Sequence, residues 1–294
     1  MNRGVVLALS AYIFWGLQPI YWKLLREVPS IEIVAHRALW TFLFAALLVT
    51  CRGEWKTLFR KIRNSDNKRL LLAPALLIGS NWIIYIWAVN AGFIIETSMG
   101  YFISPLVSVF LGVFFLDEKL RRMQWLAVCL AGAGVLAMTV IYGQFPWISL
   151  YLAGSWGMYG FLRKKSPLAS IEGLTLDTAL LSLPVLAFLT FLTATGNGSF
   201  LKDWPTSLLL AGSGVISALP LVVYVVAARL VSLSMIGILQ YIYPTLLFVV
   251  GAFIFNEPLS AAKMTGLIFI WIALAIYTID STIVFARREV AFKG

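Results

Sequence analysis

Two stretches decide the fold: Tyr101-Phe102-Ile103-Ser104-Pro105 and Gln240-Tyr241-Ile242-Tyr243-Pro244. Laid on one another, they put Ile103 on Ile242 and Pro105 on Pro244. Downstream, Gly112, Phe114, Glu118 and Leu120 fall on Gly251, Phe253, Glu257 and Leu259. Upstream, Tyr85 and Ala88 fall on Tyr224 and Ala227, Ser30-Ile31-Glu32 on Ser170-Ile171-Glu172, Trp15-Gly16 on Trp156-Gly157, and Lys23 on Lys164. The offset stays between 138 and 141 over the whole chain, a register that chance matches would not keep. The chain is read as two repeats, 1–142 and 143–294.

The repeated unit is apolar. Of 294 residues, 61% are hydrophobic and only 12% charged, where a soluble domain carries roughly 25% charge. That excludes a cytosolic enzyme, a disordered chain and a disulfide scaffold, and leaves a polytopic membrane protein. A spanning helix needs roughly 20 apolar residues. The charge-free runs give ten spans, at about 4–23, 31–50, 70–90, 95–116, 123–141, 147–162, 172–195, 205–228, 234–255 and 262–283. The long run 123–162 is cut in two by Tyr142-Gly143-Gln144-Phe145-Pro146. Each repeat holds five spans, an odd number, so the second copy enters the membrane from the opposite side. The expected fold is all-α: ten transmembrane helices as two inverted five-helix repeats, an arrangement that places a transporter's site near the midplane between the halves.

The net charge of +10 suggests a nucleic-acid partner until its distribution is read. With the N-terminus in the cytoplasm, 18 of the 23 Lys and Arg residues fall in cytoplasmic segments and 5 (Lys23, Arg26, Arg37, Lys202 and Lys263) on the other side. This is the positive-inside pattern. Both termini are expected in the cytoplasm, the basic loops meet anionic lipid headgroups, and no nucleic acid is expected. The start Met1-Asn2-Arg3 opens the first span and is not read as a cleaved signal. Cys51 and Cys129 make neither a disulfide framework nor a metal site. Gly132-Ala133-Gly134 and Gly212-Ser213-Gly214 have the spacing of close helix packing. There is no Walker A motif, so neither ATP drive nor an ATPase partner is expected, and no cofactor.

Several stretches resemble the drug/metabolite transporter superfamily, whose members carry two EamA repeats of five helices, and within it the RarD group. They are Ala35-His36-Arg37, the block from Asn81-Trp82 to Asn90, Gly100-Tyr101-Phe102-Ile103, Pro105-Leu106-Val107, Arg121-Arg122-Met123-Gln124-Trp125, Tyr159-Gly160 with Arg163-Lys164-Lys165, and Gln240-Tyr241-Ile242 with Pro244-Thr245. The resemblance covers nearly the full chain. It implies a bacterial inner-membrane carrier of small metabolites or drugs. The chain departs from the group's pattern in the uncharged segment Ala91–Ile95, at Ser104 and at Tyr243.

A charge inside the bilayer costs roughly 2.5–3.5 kcal/mol on insertion scales, so each one needs a reason. Helix two begins near residue 31, which puts His36 and Arg37 about 8–9 Å inside at 1.5 Å per residue. Glu32 and His36 are four apart and share a face. They read as a protonatable pair, with Arg37 holding an anionic group of the substrate or countering Glu96; the bland alternative is an anchor cluster at the helix end. Lys23 is a gate or substrate contact, or a snorkelling anchor. Asp177 with Arg229 forms an inner gate or a static pair. Pro105 and Pro244 bend helices four and nine and free a backbone carbonyl beside a cavity. The polar and aromatic groups near them, Ser98, Tyr101, Ser104, Gln240, Tyr241 and Tyr243, are expected to line it, together with Trp15, Gln18, Asn81, Tyr85 and Asn90. Glu118 and Glu257 end helices at opposite faces and read as structural ties.

The expected function is secondary transport: export of small polar or aromatic metabolites or drugs by alternating access, coupled to protons or to exchange. The alternatives are a membrane-embedded enzyme acting on a lipid-like substrate, and a channel. The expected partners are a small-molecule substrate and the lipid bilayer. A monomer suffices for such a carrier, and a dimer is compatible with it.

Overall fold

The computed structural model describes residues 3–65, 67–116, 121–141, 143–228, 230 and 239–293, with side chains at all of these except 108, 109, 112, 114, 116, 170, 225, 228 and 281–293. The helices are α1 (Arg3–Leu24), α2 (Ser30–Cys51), α3 (Trp55–Arg63), α4 (Arg69–Ala91), α5 (Ile94–Leu116), α6 (Arg122–Leu136), α7 (Trp147–Lys165), α8 (Ser170–Ala194), α9 (Trp204–Ala228), α10 (Ile242–Val249) and α11 (Ala261–Lys293). Five-residue π-helical turns, Ala137–Ile141 and Val250–Ile254, extend α6 and α10. No strand occurs among the described residues.

Among the described residues, seven helices are long and apolar enough to cross a membrane, and Ile94–Val107 and Ile242–Ile254 are shorter apolar helices. Large apolar side chains stand outward: Leu76, Val140, Leu183 and Phe253 are all at least 70% exposed. A soluble protein hides such a belt; here lipid covers it, and the chain is a multi-pass membrane protein. α3 differs. It carries Lys56, Arg60, Lys61 and Arg63 beside stacked Trp55 and Phe59.

Helix ends follow local chemistry. α4 stops where Gly92 adopts φ 85°, and the Phe93 N–H returns to the Ala88 carbonyl at 2.8 Å. A left-handed residue of this kind closes a helix without the clash a Cβ would bring.

Contacts sort the loops into two ends. At one end Glu32, opening α2, accepts from the N–H and hydroxyl of Ser199 in the α8–α9 loop. There Lys23, closing α1, donates to the Asn90 carbonyl at the end of α4. Glu257, after α10, accepts from the first-turn N–H groups of α5. Gln144, before α7, meets Ser260, before α11. At the opposite end Lys61 of α3 bridges to Glu172 of α8 at 2.7 Å, and Arg121, preceding α6, bridges to Asp280 of α11 at 2.5 Å. Leu58, Leu71, Leu168 and Ile171 pack round Val49 beside them. Thus α1 finishes at the end where α7 begins.

The two halves interdigitate. α1 packs on α9 and α10, α2 on α8 and α9, α4 on α7 and α8, α5 on α7 and α10, and α6 on α11. Exchanging the halves (α1 with α7, α2 with α8, α4 with α9, α5 with α10, α6 with α11) returns these pairs, whereas the lesser contacts of α5 with α11 and of α2 with α4 have no comparable counterpart. The correspondence reaches single residues. A Cβ on Gly16 would come within 2.5 Å of Leu246, and one on Gly157 within 2.9 Å of Val107. Gly16 with Gly157, and Val107 with Leu246, are mates in the sequence repeat.

Small residues set these distances. A Cβ on Gly214 of α9 would collide with the backbone of Trp40 on α2, which cannot turn aside as a side chain can, whereas one on Gly154 would meet nothing. Gly214→Ala is expected to lose about 1–3 kcal/mol by overpacking. Gly154→Ala should be neutral or gain about 0.4–1 kcal/mol from helix propensity and unfolded-state entropy. Paired melting curves in detergent check this, and equal shifts would count against it.

Candidate functional site

Arg37 lies at the centre. It sits on α2 and is 7% exposed. Its guanidinium carbon lies 4.1 Å from the ring centre of Trp82 on α4 and 5.0 Å from that of Trp22 on α1. Tyr85 of α4 shares the buried cluster of Trp22 and Trp82, Tyr101 of α5 packs against it, and Tyr243 of α10 packs against Tyr101. Arg37 Nε and Nη1 have no hydrogen-bond partner among the described residues, and Trp22 Nε1 and the Tyr85 hydroxyl stand near each other without close hydrogen-bond geometry. Four helices, three from the first half and one from the second, therefore enclose one cation in rings.

An aromatic path leads through this box. Tyr101 packs against Tyr243 at 4.7 Å between ring centres, against Tyr85 at 6.1 Å and against Trp156 at 6.3 Å. Tyr243 continues to Trp15 at 6.4 Å, and Trp15 to Tyr12 and Tyr224 at 5.8 Å each. On the other side Trp156 stacks near Tyr159 at 5.7 Å. The structure thus brings Trp15, Tyr85, Tyr101 and Tyr243 together.

The remaining expected liners divide. Asn81 borders the box: its amide donates to Ser155 at 2.9 Å, and its oxygen receives the Tyr101 hydroxyl at 3.5 Å. Gln18 is a tie between helices, donating to the Ile216 carbonyl of α9 at 2.9 Å. Ser98 donates to the Pro244 carbonyl at 2.8 Å and fastens α5 to α10. Ser104 is buried and bonded within the bundle. Tyr241 turns away and packs on the α5–α11 core, and Gln240 forms the turn that enters α10. The Asn90 side chain is buried without a partner, while its carbonyl receives Lys23.

The charged residues acquire different partners from those expected. Glu32 does not pair with His36, because Ser199 occupies its carboxylate. His36 Nδ1 accepts from Trp40 at 3.3 Å, and the ring lies 4.8 Å from Phe200. Glu96 is not the counter-ion of Arg37; it pairs with Lys263 at 3.0 Å, tying α5 to α11. Asp177 is bound by Arg163, one helix back, and by the Tyr159 hydroxyl at 3.1 Å. Its expected partner Arg229 lies outside the described residues, as does Glu118. Lys23 rests 5.3 Å from the Phe255 ring centre and binds a helix-ending carbonyl, the natural seat for a cation. Pro105 sits inside α5. Pro244 stands in the first turn of α10, not mid-helix, where a missing N–H costs nothing.

Sequence reasoning missed Trp22, Trp156, Tyr224 and Arg163. A signal existed for two of them: Trp156 is the repeat mate of Trp15, and Tyr224 of Tyr85. A surface cleft of about 450 Å³ beside Arg60, Lys61 and Asn64 lies at the basic end, away from the box.

Comparison with known proteins follows the same lines. A family model described as the EamA-like transporter family matches residues 2–140. An uncharacterized transporter of Pseudomonas aeruginosa is 42% identical over 287 residues, 96% of this chain and 95% of its own. Protein RarD of Escherichia coli is 42% identical over 282 residues, 95% of each chain. A solved crystal structure shares the fold at a TM-score of 0.59, covering 95% of this chain and 98% of its own at 18% identity.

Proposed function

The chain belongs to the EamA-like transporter family, with relatives of the RarD type, and from that premise we propose a secondary carrier that works by alternating access. In this proposal the chain crosses the bacterial inner membrane ten times, as two inverted repeats, with both termini in the cytoplasm. The observation that carries it is the exchange symmetry of the helix contacts around a polar, aromatic centre. Two halves that pack alike from opposite directions have two equivalent arrangements, and a site between them meets each side in turn. The loops support the inversion, since α1 ends where α7 begins. The ties differ between ends: Glu257 to α5 and Glu96 to Lys263 at one, Lys61 to Glu172 and Arg121 to Asp280 at the other. Each crosses from one half to the other, so each must break or yield when its end opens.

The proposed direction is export of small polar or aromatic molecules, driven by protons or by exchange. The Arg163–Asp177 pair joins neighbouring helices of one half, so it moves with that half and is a poor gate. Bulky rings through the centre suit occlusion better than an open pore.

Purified protein in liposomes should take up one member of a labelled panel (amino acids, nucleosides, polyamines, chloramphenicol) with saturation. Preloading unlabelled solute should accelerate that uptake. Flux that never saturates would favour a channel. A chemically altered solute without flux would favour an enzyme.

A further inference from the structure

We propose that Arg37 is the receptor for the carboxylate of a small organic monoanion, whose flat apolar body lies against Tyr85, Tyr101 and Tyr243. Its transport role rests on the carrier reading; the binding does not.

Arginine stays charged even in a dry interior, and a buried charge calls for a partner. Buried and half-buried carboxylates have partners elsewhere, although Glu96 Oε2 itself is unpaired. Glu32 is held by Ser199, Glu96 by Lys263, Glu172 by Lys61, Asp177 by Arg163, and Glu257 by two backbone N–H groups. What meets Arg37 instead is two indole rings, at 4.1 and 5.0 Å. Rings stabilise a cation without neutralising it. They also occupy space around the guanidinium and leave its N–H edge for a ligand. Nε and Nη1 both lack an acceptor, and each shares a different edge of the guanidinium with Nη2.

The chemistry of the ligand follows from the donors. Nε–H, Nη1–H and the indole N–H of Trp22 can only donate, and the Tyr85 hydroxyl, which stands near the Trp22 indole and the Tyr243 hydroxyl, can donate as well. A ligand that satisfies them presents acceptors. One cation balances one negative charge. A planar acceptor with two oxygens fits a guanidinium edge by two parallel hydrogen bonds. That describes a carboxylate better than an amine, an amide or a doubly charged phosphate. The tyrosine rings supply the apolar wall, with Tyr101 and Tyr243 at 4.7 Å closing it. Arg37 and Tyr85 are 7% and 3% exposed, so the halves must part for a ligand to enter, which is the movement a carrier makes.

The test uses the full chain in detergent, read by tryptophan fluorescence and melting temperature. The probes are phenylacetate, indole-3-acetate and butyrate as carboxylates, phenylacetamide as a neutral isostere and phenethylamine as a cation. At least one carboxylate should bind with saturation, and at least tenfold more tightly than the amide or amine. Arg37→Gln should weaken it more than 50-fold. Arg37→Lys, which keeps the charge but loses the fork, should weaken it about tenfold. Tyr85→Phe should weaken it several-fold while leaving the melting temperature unchanged or higher, because it removes a buried hydroxyl without close hydrogen-bond geometry. That variant keeps its packing, so it decides the matter if Arg37→Gln fails to fold. The inference is overturned if no carboxylate binds, if the amide or amine binds as well, or if Tyr85→Phe and Arg37→Lys leave the affinity unchanged. Carboxylate binding without flux in liposomes would keep the site and remove the carrier. Flux of an amine or a neutral solute without carboxylate binding would do the reverse.

Discussion

Asp177→Ala is expected to destabilise the folded protein by about 3–5 kcal/mol, the cost of breaking a buried ion pair from one side. Asp177 is fully buried on α8, and the side chain of its partner Arg163 on α7 is 13% exposed. Arg163 Nε and Nη1 already lack acceptors, so the Asp177 carboxylate is what holds the guanidinium inside. Arg163 also packs over Tyr159 and against Gly173, where a Cβ would come within 2.8 Å of its guanidinium. With Asp177 gone, the guanidinium must remain unpaired or drag its stem outward through that packing. Some relief is available, because a long side chain near a helix end can snorkel. Arg163→Leu allows no such escape for the short Asp177 side chain and should cost at least as much. The double variant Asp177→Leu/Arg163→Leu removes both charges and should recover much of the loss. A double-mutant cycle of unfolding measurements reads this directly. Additive losses would show that the pair is not coupled.

This pair also shows where the sequence stops being informative. Arg163-Lys164-Lys165 reads as one basic cluster at a helix end. A helix turns about 100° per residue, so three consecutive side chains cannot share an environment. Arg163 goes inward while Lys164 and Lys165 stay exposed. Trp22 is hidden in the same way: beside Lys23 at the end of a span it reads as a belt residue, yet it is fully buried against Arg37. Glu32 and His36 do share a helix face, but the partner that takes Glu32 comes from a loop 167 residues away. Long-range partners of this kind leave no mark on local spacing. What remained legible was what the two halves of the sequence share. Helices fall along the apolar stretches, seven of those described being long and apolar enough to cross a membrane, Gly16 and Gly157 mark equivalent close approaches, and Tyr85 and Tyr243 both pack against Tyr101. Arg37 stood out because it is a cation in an apolar helix on the side where positive charge is scarce.

Glu257→Ala should cost about 2–5 kcal/mol. The Glu257 carboxylate receives the Ile94 N–H at 2.8 Å and the Ile95 N–H at 2.9 Å. These are first-turn donors of α5, which have no partner within their own helix. Both isoleucines are fully buried, so no water replaces the lost acceptors, and each unsatisfied donor costs about 1–3 kcal/mol. Glu257→Gln separates the hydrogen bond from the charge. Burial raises the Glu257 carboxyl above its ordinary 4.5, and the two N–H groups only partly oppose that. A carboxyl raised on folding contributes fully below its unfolded value and loses ground as pH rises through the folded one. Glutamine keeps one acceptor and does not ionise. It leaves one N–H without an acceptor and should therefore fall about 1–3 kcal/mol below the parent at acid pH, and the parent should lose part of that lead as pH rises above 4.5. Melting curves of the three proteins between acid and neutral pH test both points. An alanine variant as stable as the glutamine one would mean that α5 is not held by this carboxylate. A parent that gained on Glu257→Gln with rising pH would mean that the N–H groups outweigh burial. The tie joins the second half to the first at the end where Lys263 meets Glu96. Loosening it should therefore favour opening at that end, and faster solute exchange there would be the functional sign of the lost cap.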